Sequence, residues 1–266
     1  MVKPLTSQII ISNISAVVNT RPVQETRLSP ITVRKTSDVL AGELRKRILT
    51  GAFAPGTPLP AERDLVAQTG LSRGSVREAL RILEAEHLVT TKPGRHGGSI
   101  ARQPGDDALA KYVSLFVQGR GIALLSLLQT RDAVEPTLAA LAAVNRTPEE
   151  LQQLVDATGE VEAAFADVPQ FLSANVKWHC AIAVASHNEL LRAFMVAISN
   201  LVYQATAIEN FATDDVRRLV LAAHRRILDA IVAQDADAAR RRMTRHLGAV
   251  TAAIQAFPNA PLVLGS

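Results

Sequence analysis

Three histidines, His179, His224 and His246, are the residues in this sequence best placed to do chemistry, because the segments that carry them have helical apolar spacing. His224 has Val220 four residues before it and Ile227, Leu228 and Ile231 three, four and seven after it, so its side chain is predicted to project from an apolar helix face into a core. His246 is flanked in the same way by Met243 and Val250. His179 follows Asn175 by four residues, which puts an amide and an imidazole on one helix face. Imidazoles from three helices, with the Asn175 amide oxygen as a further donor, have the make-up of a divalent-metal site. Three core histidines satisfied by hydrogen bonds would show the same spacing, and the spacing leaves both readings open.

A second group is cationic. Arg73, Arg77 and Arg81 recur every four residues, which gathers three guanidinium groups on one face of a helix. Such groups pair bidentately with guanine edges and with phosphates, and a single helix fits the DNA major groove. A solvated basic face has the same pattern. The elements around the arginines favour DNA. Ser72 is predicted to cap their helix, whose apolar stripe is Val76, Leu80 and Leu83. A preceding helix is predicted to start with Pro60 at its first position and to stop at Gly70, so that only Gly70 and Leu71 precede the cap, as in a helix-turn-helix. Upstream, Ser37 is predicted to cap a helix carrying Leu40, Leu44 and Ile48 that ends near Gly51. Downstream, residues 88–92 and 99–101 read as strands about a Gly-rich basic turn, a wing in which Arg95 could enter a minor groove.

These pieces fit a chain of 266 residues, long enough for two domains. The predicted fold class is mainly α, an N-terminal winged helix-turn-helix followed by an all-helical bundle. Residues 1–35, interrupted by Pro4, Pro22 and Pro30, are predicted to be a flexible arm outside the fold. Residues 36–102 form the predicted DNA-binding domain, 103–106 a linker, 107–258 the helical domain and 259–266 a tail. Within the bundle, helices are expected at about 107–119, 122–144, 148–158, 169–186, 188–209, 213–234 and 236–256, with Pro148 starting one and Asp235 capping the last. The single cysteine, Cys180, can form no internal disulfide, which suits the cytoplasm. The apolar run Ile9-Ile10-Ile11 is too short for a signal or a membrane span, so no membrane partner is expected. The formal charge of +4 is compatible with an anionic partner.

Residues 37–102 resemble the DNA-binding domain of the GntR family. The resemblance rests on Pro55-Gly56, Leu59-Pro60-Ala61-Glu62-Arg63-Asp64-Leu65, Ser72-Arg73-Gly74-Ser75-Val76-Arg77-Glu78-Ala79-Leu80 and Leu83-Glu84. It implies that Arg63, Arg73 and Arg77 contact an operator, that the wing tip of Gly94, Arg95, His96 and Gly97 adds minor-groove contacts, and that Ser72 and Ser75 contribute hydrogen bonds. Residues 107–256 are similar to the FCD effector domain of the FadR subfamily, through Arg131-Asp132-Ala133-Val134-Glu135, Asn175-Val176-Lys177-Trp178-His179, His224-Arg225-Arg226-Ile227-Leu228 and Met243-Thr244-Arg245-His246-Leu247. That resemblance implies a divalent ion, Zn²⁺ or Ni²⁺, held by the residues matching Asn175, His179, His224 and His246. Many members have an acid where this chain has Asn175, so one negative charge is missing and binding should be weaker. It also implies that Arg131 binds the carboxylate of an organic-acid effector. The alternative is an Arg131–Glu135 ion pair on a helix surface. Trp178 and Tyr203 are expected in the core or a pocket wall, and His187 and Asn188 at the start of a helix.

The expected function is that of a transcription regulator, a homodimer on an inverted-repeat operator of double-stranded DNA whose binding responds to a small organic or sugar acid. The rival reading makes the three histidines the catalytic metal site of an enzyme, but no HExxH pair and no clear general base accompany them. An architectural nucleoid protein would leave the inward histidines unexplained.

Overall fold

The protein was analysed as a computed structural model, which describes residues 34–92, 97–207 and 212–255. The predicted arm and tail therefore lie almost wholly outside the described residues. The winged helix-turn-helix comprises α1 (Thr36–Leu49), α2 (Glu62–Thr69), α3 (Arg73–Ala85), β1 (Val89–Lys92) and β2 (Gly98–Ala101). Ser72 caps α3 as expected, its hydroxyl accepting from the Ser75 N–H at 3.1 Å. Gly70 ends α2 at φ 70°, a left-handed conformation that suits glycine. Two starts differ from expectation. Helix α1 begins at Thr36, so Ser37 sits buried inside its first turn instead of capping it.

Helix α2 begins at Glu62, and Pro60 stays outside it. The reason is sheet pairing. The Leu59 N–H donates to the Ser99 carbonyl at 2.8 Å and the Ala101 N–H to the Thr57 carbonyl at 2.9 Å, so residues 57–59 lie extended along β2. Pro58 and Pro60 reinforce this, because a residue preceding proline is driven out of the helical region. The strands pair antiparallel, Val89 opposite Ala101 and Lys92 opposite Gly98. Beneath them a core of Leu40, Leu44, Leu65, Val76 and Leu83 joins the three helices to the wing.

Among the described residues seven further helices follow: α4 (Asp106–Gly119), α5 (Leu124–Asn145), α6 (Pro148–Ala163), α7 (Val168–Ala185), α8 (Glu189–Ala207), α9 (Asp214–Val232) and α10 (Ala236–Gln255). Thr147 and Glu150 form a reciprocal capping box at the start of α6. Asp167 caps α7, and Asp235 accepts from the Ala238 N–H at 2.8 Å at the start of α10. Helix α6 continues past residue 158, where it was expected to end. Burial of Val161 and Ala164 on its inner side outweighs the low helix propensity of Gly159. Helix α5 threads the bundle, burying Leu138, Ala139, Ala142 and Ala143 against its neighbours. Among the described residues no helix is long and apolar enough to cross a membrane.

Helix α4 touches both parts. Tyr112 donates its hydroxyl proton to the Ala85 carbonyl at the end of α3 at 3.1 Å, and Asp107 pairs with Arg102 at 3.1 Å just after β2. One residue earlier, Asp106 pairs with Arg192 of α8 at 2.6 Å.

The two faces of α3 should respond differently to truncation. Leu83→Ala removes a fully buried side chain and is expected to cost roughly 2–5 kcal/mol. Arg81→Ala, on the exposed face, should stay within about 0.5 kcal/mol of wild type. Urea titrations of both variants check this.

Candidate functional site

On the outer face of α3, Arg73, Arg77 and Arg81 are exposed, while Val76, Ala79, Leu80 and Leu83 hold the opposite face in the core. Arg73 makes no ion pair among the described residues. Arg77 Nε donates to Glu62 Oε2 at 2.8 Å, a bond between α2 and α3 that fixes where the guanidinium sits. Sequence reasoning did not single out Glu62. Arg63, the residue after it, lies 3.3 Å from Asp64 and is otherwise open to solvent. The Ser72 and Ser75 hydroxyls are 3.0 Å apart, and Thr36 donates to Ser75 at 3.0 Å, so these groups form a small hydroxyl chain at the start of α3. Gly97 is exposed; Gly94, Arg95 and His96 lie outside the described residues.

The three histidines come together. His179 on α7, His224 on α9 and His246 on α10 are all buried, and one nitrogen from each lies within 4.8 Å of the others. Trp178, fully buried, stacks on His224 with ring centroids 3.6 Å apart and planes 3° from parallel. Its own N–H donates to Thr158 of α6 at 2.9 Å. This clamp sets the His224 plane, yet neither nitrogen of that ring has a hydrogen-bond partner. Asn175, one turn before His179, also buries its Oδ1 without a partner.

Glu135 on α5 supplies the second feature that sequence reasoning undervalued. Its Oε2 lies 2.5 Å from His179 Nδ1, a close charge contact whose approach falls outside hydrogen-bond angles. Its Oε1 accepts from Arg131 Nε. The Arg131–Glu135 pair was expected, if formed, on a helix surface. It is buried instead, because Arg131 and Glu135 lie on the face of α5 that packs against other helices, while Ala133 between them is exposed. The signal available in the sequence was the apolar run on both sides of the pair, from Leu127-Leu128 to Leu138-Ala139.

Burial and charge set the protonation states. Burial opposes ionisation of Glu135, but the Arg131 guanidinium and His179 outweigh it and hold its carboxyl down at about 2. Burial lowers all three imidazoles, only partly offset at His179 by Glu135. His224 is pushed well below the ordinary histidine range, with His246 and His179 adding to burial, and His246 is lowered to about 3. Buried imidazoles with one nitrogen each within 4.8 Å of the others, one of them beside a carboxylate, have the composition of a donor set that divalent metals select.

A helix-turn-helix with an arginine-bearing second helix, joined to a helical domain with a polar centre, defines a DNA-binding regulator with a sensing domain. Residues 36–96 match "Bacterial regulatory proteins, gntR family" and residues 126–249 match "FCD domain". The chain is 32% identical over 217 residues to the galactonate operon transcriptional repressor of Escherichia coli, spanning 79% of this chain and 93% of that protein. It is 30% identical to the transcriptional repressor NanR of Cronobacter sakazakii, over 86% and 88% of the two chains. A Streptococcus agalactiae GntR structure superposes with a TM-score of 0.65 at 25% identity, over 81% of this chain and 99% of that one. The chain belongs to the GntR family of transcription regulators and carries an FCD effector domain. Its relatives regulate transcription, and the metal-enzyme reading finds no support among them.

In the metal-free protein, acid should destabilise the fold in a defined window. The unfolded chain takes up protons on these imidazoles near 6.5, whereas the folded chain holds His246 neutral down to about 3, so stability falls as pH falls between the two. Glu135 acts in the same direction at lower pH, because its folded carboxyl at about 2 lies below its ordinary 4.5. Thermal unfolding with a chelator present, from about pH 7.5 to about pH 5, should show a falling Tm in wild type and a flatter profile in His246→Gln. A wild-type Tm constant over that range would contradict burial of neutral rings.

Proposed function

We propose that the protein binds an inverted-repeat operator as a homodimer through residues 36–102, and that a small organic or sugar acid held in residues 107–258 modulates this binding. Two-fold symmetry in the protein matches an inverted repeat because each recognition helix reads one half-site. Arg73 and Arg77 reach base edges, Arg63 reaches phosphate, Ser72 and Ser75 add hydrogen bonds, and the wing tip of Gly94, Arg95, His96 and Gly97 enters the minor groove. The protein works where its DNA is, in the cytoplasm.

The observation that carries the sensing half of this reading is the convergence of three buried imidazoles, two of which, His179 and His224, have ring nitrogens without a hydrogen-bond partner. Leaving such groups unsatisfied is costly, and a divalent ion held by His179, His224, His246 and Asn175 would remove that cost. Zn²⁺ or Ni²⁺ suits these donors, and when bound it offers open coordination positions to a carboxylate. Arg131, steadied by Glu135, adds a guanidinium beside the same cluster. One relative is named for galactonate, a sugar acid, which agrees with an effector of this class.

Two experiments test the halves separately. Arg73→Ala and Arg77→Ala should each weaken operator binding by about 1–3 kcal/mol in electrophoretic shifts, and Arg63→Ala should weaken binding to all sequences evenly. Operator binding like wild type in both recognition-helix variants would move the reading face elsewhere. For the sensing half, elemental analysis and calorimetry should find a divalent ion in wild type, lost in His224→Ala and held more tightly in Asn175→Asp, which restores an anionic oxygen. A wild-type protein that takes up no divalent ion would return the histidines to a purely structural role.

A further inference from the structure

A cleft of about 200 Å³ lies between α9 and α10, and of the three clustered histidines His246 alone lines it. The three-residue connection from Val232 to Ala236 turns α10 back along α9, so the cleft has two unlike ends. At one end stand Val216, Leu219 and Val250, with Leu219 leaving 69% of its surface in water. At the other stand Arg226, Arg242 and Arg245.

The contrast with neighbouring arginines is informative. On α9, Arg217 pairs with Asp214, Arg218 with Asp215 and Arg225 with Glu162. None of the three cleft arginines makes an ion pair among the described residues. Arg242 is instead held across the seam by donating to the Arg226 carbonyl, which positions one guanidinium over the cleft. Three unpaired cations at one end of a cleft repel one another and attract an anion, and the aliphatic end offers nothing to a phosphate backbone. A second copy of the chain docking symmetrically here would bring like charges together.

We propose that this cleft is a binding site for a small amphipathic anion, its charged head between Arg226, Arg242 and Arg245 and its apolar body on Leu219, Val216 and Val250. The ligand class is a carboxylate or phosphate monoester with an aliphatic or aromatic tail. The site is separate from the Arg131 side of the histidine cluster and does not depend on a metal, but it shares His246 with that cluster. An occupant therefore rests against one wall of the sensing centre.

Calorimetry on the full chain, with and without EDTA, tests this with octanoate and octyl phosphate as probes, and with acetate and octanol as controls carrying only the charge or only the tail. Both probes should bind, equally with and without EDTA, and each control at least about tenfold more weakly. Arg245→Gln and Leu219→Ser alter exposed side chains, and with unchanged Tm each should weaken octanoate binding by about tenfold. Stronger octanoate than octyl phosphate binding would assign the carboxylate, and the reverse the phosphate ester. The proposal is overturned if neither probe binds, if octanol or acetate matches octanoate, if EDTA removes binding, or if both variants bind octanoate like wild type. It is equally overturned if Arg245→Gln weakens operator DNA binding and leaves octanoate binding unchanged.

Discussion

The helical domain is organised around a difficulty that apolar packing cannot remove: three imidazoles, a carboxylate, a guanidinium and an amide lie where water does not reach them. Buried polar groups are tolerated when each has a partner; here contacts from other helices meet part of that need, while the His224 nitrogens and Asn175 Oδ1 have no hydrogen-bond partner. Glu135 of α5 faces His179 of α7, Trp178 of α7 lies flat on His224 of α9, and Thr158 of α6 receives the indole N–H. The rings of His179 and His246 lie nearly parallel with centroids 5.5 Å apart, joining α7 to α10. Hydrophobic contacts alone would let these helices slide, but the polar centre specifies one register, because a shift of a turn would strand several groups at once.

That centre was partly readable in the sequence. The inward direction of His224 and His246 followed from apolar neighbours at helical offsets, and the caps at Ser72 and Asp235 and the helix start at Pro148 followed from side-chain chemistry next to periodic segments. What spacing could not convey was depth. Arg131 and Glu135 have the offset of an ordinary surface pair, and only the packing of other helices around α5 makes them a buried one. The start of α2 was missed for a related reason: Pro60 is well suited to a first helical turn, but a strand some forty residues later in the chain claims the backbone just before it. Both misses involve contacts distant in sequence, which local patterns do not carry.

Helix α4 has an unusual position for a connection. Its first turn is fixed on both sides, Asp106 to α8 and Asp107 to the end of the wing, and Tyr112 reaches the last turn of α3. A short cluster of Val117, Leu127, Leu128 and Leu201 then seats its far end on α5 and α8. Helix α4 thus joins α3 and the wing to the helical domain through a few identifiable contacts at each end.

The pairing of residues 57–59 with β2 has a consequence for how this protein meets a duplex. By adding a third extended segment, it fastens the base of the wing to the chain that leads directly into α2 and its Arg63. The base of the hairpin cannot swing independently of the helix-turn-helix, so the two stand at a fixed separation, like the jaws of a caliper set to one opening. A duplex whose groove width does not match that opening must itself deform, and the stiffness of its base steps becomes part of what is selected.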